Sequence, residues 1–462
     1  MTDAGDADAT PLAAEIGKGG LASRALGGSA LSVIGFGGTQ MMRLASNLIL
    51  TRLLSPEDFG LMTLVTSFLI GLMMFSDVGL GPSIQQSQRG DDPAFLDTAW
   101  TIKVIRGAGL LLAAVVIAVP LSHVYSSPEF AHIFPVAAIS LLIAGFNPTR
   151  IDTAARHLFL GRLTVIELAA QAINIIITIV FALWLQSVWA LAIGNVTAAI
   201  VLLVLSHLYL PGHVNRFRME PAARSELVHF GKWIFLSTIF GFLQFQGDRV
   251  ILGRVLTLDQ LGIYNIGLFL GTVPITVGAA IGNRLFIPMY RQHPPSRSAA
   301  DFRMLSKTKG GVSAFLIVLV VILALGGPWI VEALYDHRYI AAGWLLVLMA
   351  LLQLPQIAML GYDHAALAAG DTRRMFIVQA IRSIIYISFI GAGAWLFGLT
   401  GLLIGQAIAF LLAFPPTIWL ARQHGAWNAR QDMAVLAASA LLTALVFWLH
   451  GAEIATALAT MG

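Results

Sequence analysis

Cysteine is absent from all 462 residues, which excludes disulfides, thiolate metal sites and a thiol nucleophile. Charge is scarce as well: 11% of the residues are Asp, Glu, Lys or Arg, against 57% that are hydrophobic. A soluble chain of this length has too little interior to hide so much apolar surface, so an ordinary globular protein is excluded. Enzyme signatures are missing too. The GKGG of Gly17–Gly20 lacks the spacing and the Ser/Thr of a nucleotide-binding loop, and neither HExxH nor GxSxG occurs. The eleven histidines are scattered, which argues against a metal cluster. No polar stretch is long enough for a soluble catalytic domain. The expectation is a non-enzyme without cofactor or metal that works inside the membrane, powered by an ion gradient rather than ATP. The net charge of +4 does not point to nucleic acid, because in so apolar a chain basic residues gather in cytoplasmic loops.

What the chain does have is repeated apolar runs of about 20 residues, the length that crosses a bilayer as a helix. Spans are expected near 28–51, 60–85, 99–120, 130–148, 164–184 and 189–210. A second set is expected near 230–253, 262–287, 308–326, 341–361, 376–396 and 399–420, and a thirteenth near 433–450 with a tail too short to span. The resulting organisation is a cytoplasmic tail (1–27), a six-helix bundle (28–210), a cytoplasmic connector (211–229), a second six-helix bundle (230–421) and an extra helix with its tail (433–462). With the N-terminus inside, eighteen Lys and Arg residues fall on inner segments and only Arg52, Arg254 and Arg338 on outer ones. That bias sets the orientation.

One turn is written twice. SNLILTRLLSPEDFG, Ser46–Gly60, returns 202 residues later as DRVILGRVLTLDQLG, Asp248–Gly262, with Ile49, Leu50, Arg52, Leu54 and Gly60 matched by Ile251, Leu252, Arg254, Leu256 and Gly262. Ser55 stands where an N-cap belongs, with Pro56 at the first helical position, and Thr257 with Gln260 spells a capping box. Ungapped identities with matching helix starts imply a duplicated half. Six spans per half is an even number, so the repeat is expected to be parallel, about an axis along the membrane normal.

Polar residues inside apolar spans are the candidate working parts, since a charge facing lipid costs roughly 2.5–3.5 kcal/mol. Gln40, Arg43 and Asn47 share one helix face, as do Glu167, Gln171, Asn174 and Thr178. The second half offers Gln244, Asp248 and Arg249, then Asn265, Thr272, Thr276 and Asn283, then Gln379, Arg382 and Tyr386. Such residues either line a cavity or glue helices together. Asp77, in FSDVGLGPSIQQ, has two readings: a protonatable coupling group, or a hydrogen-bond acceptor for backbone freed at the Gly-Pro break.

The R-L-L-S-P-E-D-F-G turn (Arg52–Gly60) and the D-V-G-L-G-P-S run (Asp77–Ser83) resemble the start of the oligosaccharide (Wzx-type) flippase family. This is the polysaccharide-transporter branch of the superfamily that also holds multidrug and toxin extruders and lipid II flippases. ARHLFLGRL (Ala155–Leu163) and ALAAGDTRR (Ala366–Arg374) fit the pattern, and the resemblance runs from about residue 28 to 420. It implies an all-α polytopic protein with a V-shaped pair of bundles around a cavity. Its cargo would be an undecaprenyl-diphosphate-linked oligosaccharide, moved to the outer leaflet of the bacterial inner membrane for exopolysaccharide, capsule or O-antigen. Arg43, Arg249 and Arg382 become candidate contacts for the diphosphate and acidic sugars, with Asn47, Gln171 and Asn174 as further cavity candidates. Asp77, Glu167 and Asp248 are candidates for coupling to a proton or sodium ion. Membrane lipids and other polysaccharide-assembly membrane proteins are the implied partners. A multidrug extruder is the nearest alternative, though acids rather than arginines should then dominate the cavity. A membrane-embedded polymerase is a further one, but the longest outer loop, about Gly327–Ile340, is short for catalysis.

Overall fold

The computed structural model describes residues 21–461 and, within its helices, all side chains but those of residues 21–34, 36, 230–234 and 236. The first twenty residues of the expected tail, 1–27, therefore lie outside the described residues. Among the described residues the chain is helical, without a strand. The elements in order are α1 (Leu21–Leu53), α2 (Pro56–Phe75), α3 (Leu80–Gln86), α4 (Pro93–Val124), α5 (Phe130–Gly145), α6 (Arg150–Arg156), α7 (Leu160–Leu185) and α8 (Trp189–Tyr209). They continue as α9 (Pro221–Val255), α10 (Leu258–Gly271), α11 (Val273–Gln292), α12 (Ala299–Leu334), α13 (Ala341–Leu352), α14 (Leu354–Met359), α15 (Tyr362–Ala368), α16 (Thr372–Leu412), α17 (Phe414–Gln423) and α18 (Ala429–Met461). Among the described residues eight helices are long and apolar enough to cross a membrane, or up to ten if each bent pair is one span. This is a multi-pass membrane protein.

The breaks follow local chemistry. In α16 the backbone leaves the helix at Phe397 (φ −139°) and Gly398 (φ 60°), where glycine supplies the positive φ. A Cβ on Gly393 would overlap the Gly401 carbonyl, and one on Gly405 the Phe389 carbonyl. On a straight helix residues 389 and 405 would stand about 24 Å apart, so α16 is a hairpin whose arms match the runs 376–396 and 399–420. The run 60–85 ends in a true break, with Gly79 at φ 62° between α2 and α3. The second half of the connector is helical, and Ala223 and Leu227, one turn apart, plug fully buried into Leu80, Ile84, Phe95, Leu96 and Ala99. After His450 the helix resumes past a bend (φ −130°) and runs to Met461. Those eleven residues reach about 16 Å, still half a bilayer core.

Contacts divide the chain into two units, Met1–Leu54 with Val65–Ile239, and Ser55–Leu64 with Phe240–Gly462. In the first, α1 and α7 run parallel, Gly35 meeting Thr164 and Gly38 meeting Leu168. In the second, α9 and the first arm of α16 also run parallel. Gly247 meets Ile387 there, and Ile251 approaches Gly391. A small residue at each crossing brings the helices close.

Both repeated turns lie in the second unit. Ser55 and Asp58 form a reciprocal capping box: the Asp58 N–H donates to Ser55 Oγ (3.1 Å) and the Ser55 N–H to Asp58 Oδ2 (2.9 Å). Thr257 and Gln260 do the same at 3.3 and 3.0 Å. The two turns sit back to back. A Cβ on Gly60 would overlap the Leu258 carbonyl, and one on Gly262 the Pro56 carbonyl. Residue i touching j while j touches i is the mark of a local two-fold relation.

Candidate functional site

In the first unit the offset between α1 and α7 is 129–130 residues at Gly35–Thr164 and Gly38–Leu168. Continued along the pair, that register puts Arg43 level with residues 172–173, at the height of Gln171 and Asn174. Arg43 is exposed, and its guanidinium reaches Gln40 Oε1 at 3.5 Å. Asn47 Oδ1 is buried and accepts no hydrogen bond among the described residues. Further along α7, Thr178 donates to Asn174 Oδ1 (3.2 Å) and packs against Gly194 of α8. Glu167 is exposed on α7.

Asp77 serves the α2–α3 break. Its Oδ1 accepts the Gly79 N–H at 2.9 Å, the short loop that lets Gly79 take its positive φ, and lies 3.9 Å from Arg106. Arg106 donates in turn to Ser76 Oγ and to the Met73 carbonyl in the last turn of α2, which also accepts from Ser76.

In the second unit Asp248 is 4% exposed and accepts a hydrogen bond from Tyr264 of α10 at 2.8 Å. Tyr386 and Gln406, buried on the two arms of α16 and 3.4 Å apart, line the same interior. Among the described residues no Lys or Arg pairs with this carboxylate. Arg249 turns away and donates to Gln246 Oε1 (2.8 Å) and the Phe245 carbonyl (3.1 Å). The adjacent pair seen in sequence thus splits between two faces of α9. Arg382 sits in a larger network. It donates to Asp363 (2.8 Å) and Gln379 (2.9 Å), while Gln379 bonds Gln244 of α9 and Ser383 donates to the Phe240 carbonyl. Arg382 is 12% exposed, and its Nε with Asp363 Oδ1 stays buried and unbonded. Beside them His364 bonds Asn283 (3.1 Å) while its Nδ1 is likewise unbonded. Open donors and acceptors next to a fixed cation can receive an anionic or polyhydroxylated group.

Two interior ion pairs, one half-buried and one fully buried, join helices that the sequence reading left unconnected. Lys103 of α4 pairs with Asp152 of α6, and Lys309 of α12 pairs with Asp432 of α18 at 2.8 Å. The positive-charge count treats Lys309 as an inner-loop residue, but it is 4% exposed, its ammonium 3.5 Å over the Tyr362 ring, and Tyr362 donates to Asp432 as well. Lys103 and Lys309 are each the eleventh residue of their helix, a correspondence that only the helix starts at Pro93 and Ala299 reveal. Among the described residues no group of three or more His, Asp or Glu could hold a metal.

Residues 49–343 match the model of a family described as polysaccharide biosynthesis protein. The chain belongs to this polysaccharide biosynthesis family. It is 23% identical over 323 residues to the succinoglycan biosynthesis transport protein ExoT of Rhizobium meliloti, a match covering 69% of this chain and 64% of that protein. Among solved structures it resembles the lipid II flippase MurJ, with a TM-score of 0.71 at 12% identity over 90% of this chain and 92% of that one. An inward-facing multidrug-resistance MATE family transporter gives 0.59 at 15% identity, over 84% and 95% of the two chains. These likenesses show the fold: this member of the polysaccharide biosynthesis family is an all-α, MATE- and MurJ-like membrane protein.

Proposed function

We propose that the chain is a flippase of the bacterial inner membrane. It carries undecaprenyl-diphosphate-linked oligosaccharide units to the outer leaflet, for exopolysaccharide, capsule or O-antigen, by ion-coupled alternating access. On this reading residues 28–210 and 230–421 are two six-helix bundles joined by a cytoplasmic connector (211–229), the N-terminus is cytoplasmic, and 433–462 adds a further helix. The observation that carries the proposal is Arg382: a guanidinium 12% exposed on the first arm of the α16 hairpin with a donor still open, in a chain of the polysaccharide biosynthesis family. Arg382, Arg249 and Arg43 would meet the diphosphate and acidic sugars, because guanidinium groups bind phosphate through paired N–H donors. Asn47, Gln171 and Asn174 would meet sugar hydroxyls. Asp248 is the strongest coupling group, being a carboxylate in a tyrosine-lined interior with no Lys or Arg ion pair among the described residues. Asp77, tied to Gly79, and exposed Glu167 are the weaker ones.

Deleting the gene should stop surface polysaccharide while lipid-linked units collect on the inner leaflet. Restoring R382Q should leave the block in place, and D248N should abolish the response of transport to a collapsed proton or sodium gradient. Normal appearance of the units outside the deletion strain would sink the reading.

A further inference from the structure

Three arginines beyond α8, Arg216 and Arg218 before α9 and Arg224 in its first turn, differ from those around them. Arg89 is held by Asp92 and Glu220, Arg150 by the carbonyls of His207, Leu210 and His213, and Arg156 by Asp91 and the carbonyls of Ile84, Gln85 and Ser87. Arg216, Arg218 and Arg224 are exposed, and no guanidinium among the three has an ion pair or hydrogen bond among the described residues. The nearest acids are occupied: Asp97 by His213 and the Arg216 N–H, Glu220 by Arg89, and Glu226 by Ser87.

The backbone beneath these arginines is not loose. Between Leu210 and Glu220 the chain forms neither helix nor strand and is hydrogen-bonded onto α4. Three alternate N–H groups point inward, Arg216 to Asp97 Oδ1 (2.9 Å), Arg218 to Thr101 Oγ1 (3.0 Å) and Glu220 to Thr98 Oγ1 (3.0 Å). Asn215 locks the start of this strap through Thr149. Apolar side chains stand out between the arginines: Val214, Phe217 and Met219 are 64%, 67% and 42% exposed. Phe217 is propped by Trp100, ring centres 4.8 Å apart. The height of the strap follows from α8, a membrane span whose last residues, Leu208 and Tyr209, are 70% and 64% exposed. A tyrosine at the end of a lipid-facing helix marks the headgroup level, and the strap begins one residue later.

We propose that the strap is a binding site for anionic phospholipid headgroups. Arg216, Arg218 and Arg224 meet the phosphates, and Phe217 and Met219 reach the upper acyl chains. Three unpaired cations interleaved with exposed apolar groups at headgroup height complement a negative lipid surface. The pinned backbone has its ordering cost met by folding, so binding immobilises only side chains. A zwitterionic lipid offers the same apolar contact without the net charge, so the site should discriminate by headgroup.

The test is retention of phosphatidylglycerol against phosphatidylcholine by the purified full chain, read by native mass spectrometry after extraction from nanodiscs of the two lipids mixed. Wild type should favour phosphatidylglycerol. The singles R216Q and R218Q should each lower the preference about fivefold, and the triple R216Q/R218Q/R224Q should remove it. The triple lysine variant should keep most of the preference, since surface charge carries it. The melting temperature in phosphatidylcholine alone should be unchanged in the singles, because the replaced groups make no internal bond. An unchanged preference in both singles and the glutamine triple overturns the proposal. So does displacement of phosphatidylglycerol by inorganic phosphate, which would mark a site for soluble anions.

Discussion

Lys103 and Lys309 occupy the same position in the two halves, the eleventh residue of α4 and of α12, yet their charges are neutralised differently. Lys103 meets Asp152 on α6, the short helix just before α7, and the two side chains are 18% and 13% exposed. Lys309 meets Asp432, and the pair is drier at 4% and 5%. Its carboxylate comes from α18, beyond the repeat, while the short helix before α16 contributes Tyr362 instead. The first half closes its buried charge with its own residues; the second draws on the added helix. That difference makes α18 a structural part of the second unit rather than an appendage, because removing it would strand an ammonium group in an apolar interior.

The comparison breaks most readily at Asp432. Breaking a buried pair from one side costs about 3–5 kcal/mol, so D432A should lower unfolding stability in detergent by that order. D152A, at the wetter pair, should cost less, about 1–3 kcal/mol. Equal losses would mean that the two lysines are equivalent in energy as well as in position. The double variant K309M/D432L should recover most of the loss, since an apolar pair needs no neutralisation.

The twin turns give a sharper comparison, because their contact is reciprocal. G60V and G262V each drive a side chain into the facing backbone carbonyl, and each should cost about 1–3 kcal/mol. Matching losses in thermal unfolding would show that the reciprocity is energetic; a loss at one position alone would confine it to geometry. The caps come next. S55A and T257A each remove a side-chain acceptor from a helix start, and each should cost about 1 kcal/mol by chemical denaturation.

The smallest effect contrasts the tied and untied arginines near the strap. A hydrogen bond from Arg89 holds the Asp92 carboxyl below its ordinary value of 3.8, with burial opposing. A lowered folded-state pKa contributes stability that is complete above the ordinary value and is lost as pH falls through the folded one. Wild type should therefore lose stability below about pH 4 through this group, whereas D92N should lack that component of the acid limb.

Much of this protein was legible before any tertiary contact was known. Apolar run length announces spans, and Ser55, Pro56, Thr257, Gly79 and Gly398 punctuate them through rules that act within four residues. The repeat at 202 residues was equally open to inspection. The polar stripes were only half legible. Helical period places Arg43 with Asn47, and Gln379 with Arg382, on common faces, but not what each face meets. Asp248 and Arg249 show the limit. Adjacent in sequence, they diverge because neighbouring residues on a helix point about 100° apart, one toward Tyr264 and the other toward its own turn.

The sequence by itself determined a helical membrane protein, its breaks, its repeated turn and its family, because these rest on hydropathy, capping and near-neighbour sterics. Only the tertiary structure decided that Asp432 answers Lys309, that Asp363 answers Arg382, and that the connector is a strap pinned to Asp97, Thr98 and Thr101. Those partners lie 123, 19 and roughly 120 residues apart. No local periodicity encodes which helix will carry the answering charge. Packing chooses it, since a buried charge or N–H left without a partner is what a membrane interior penalises most.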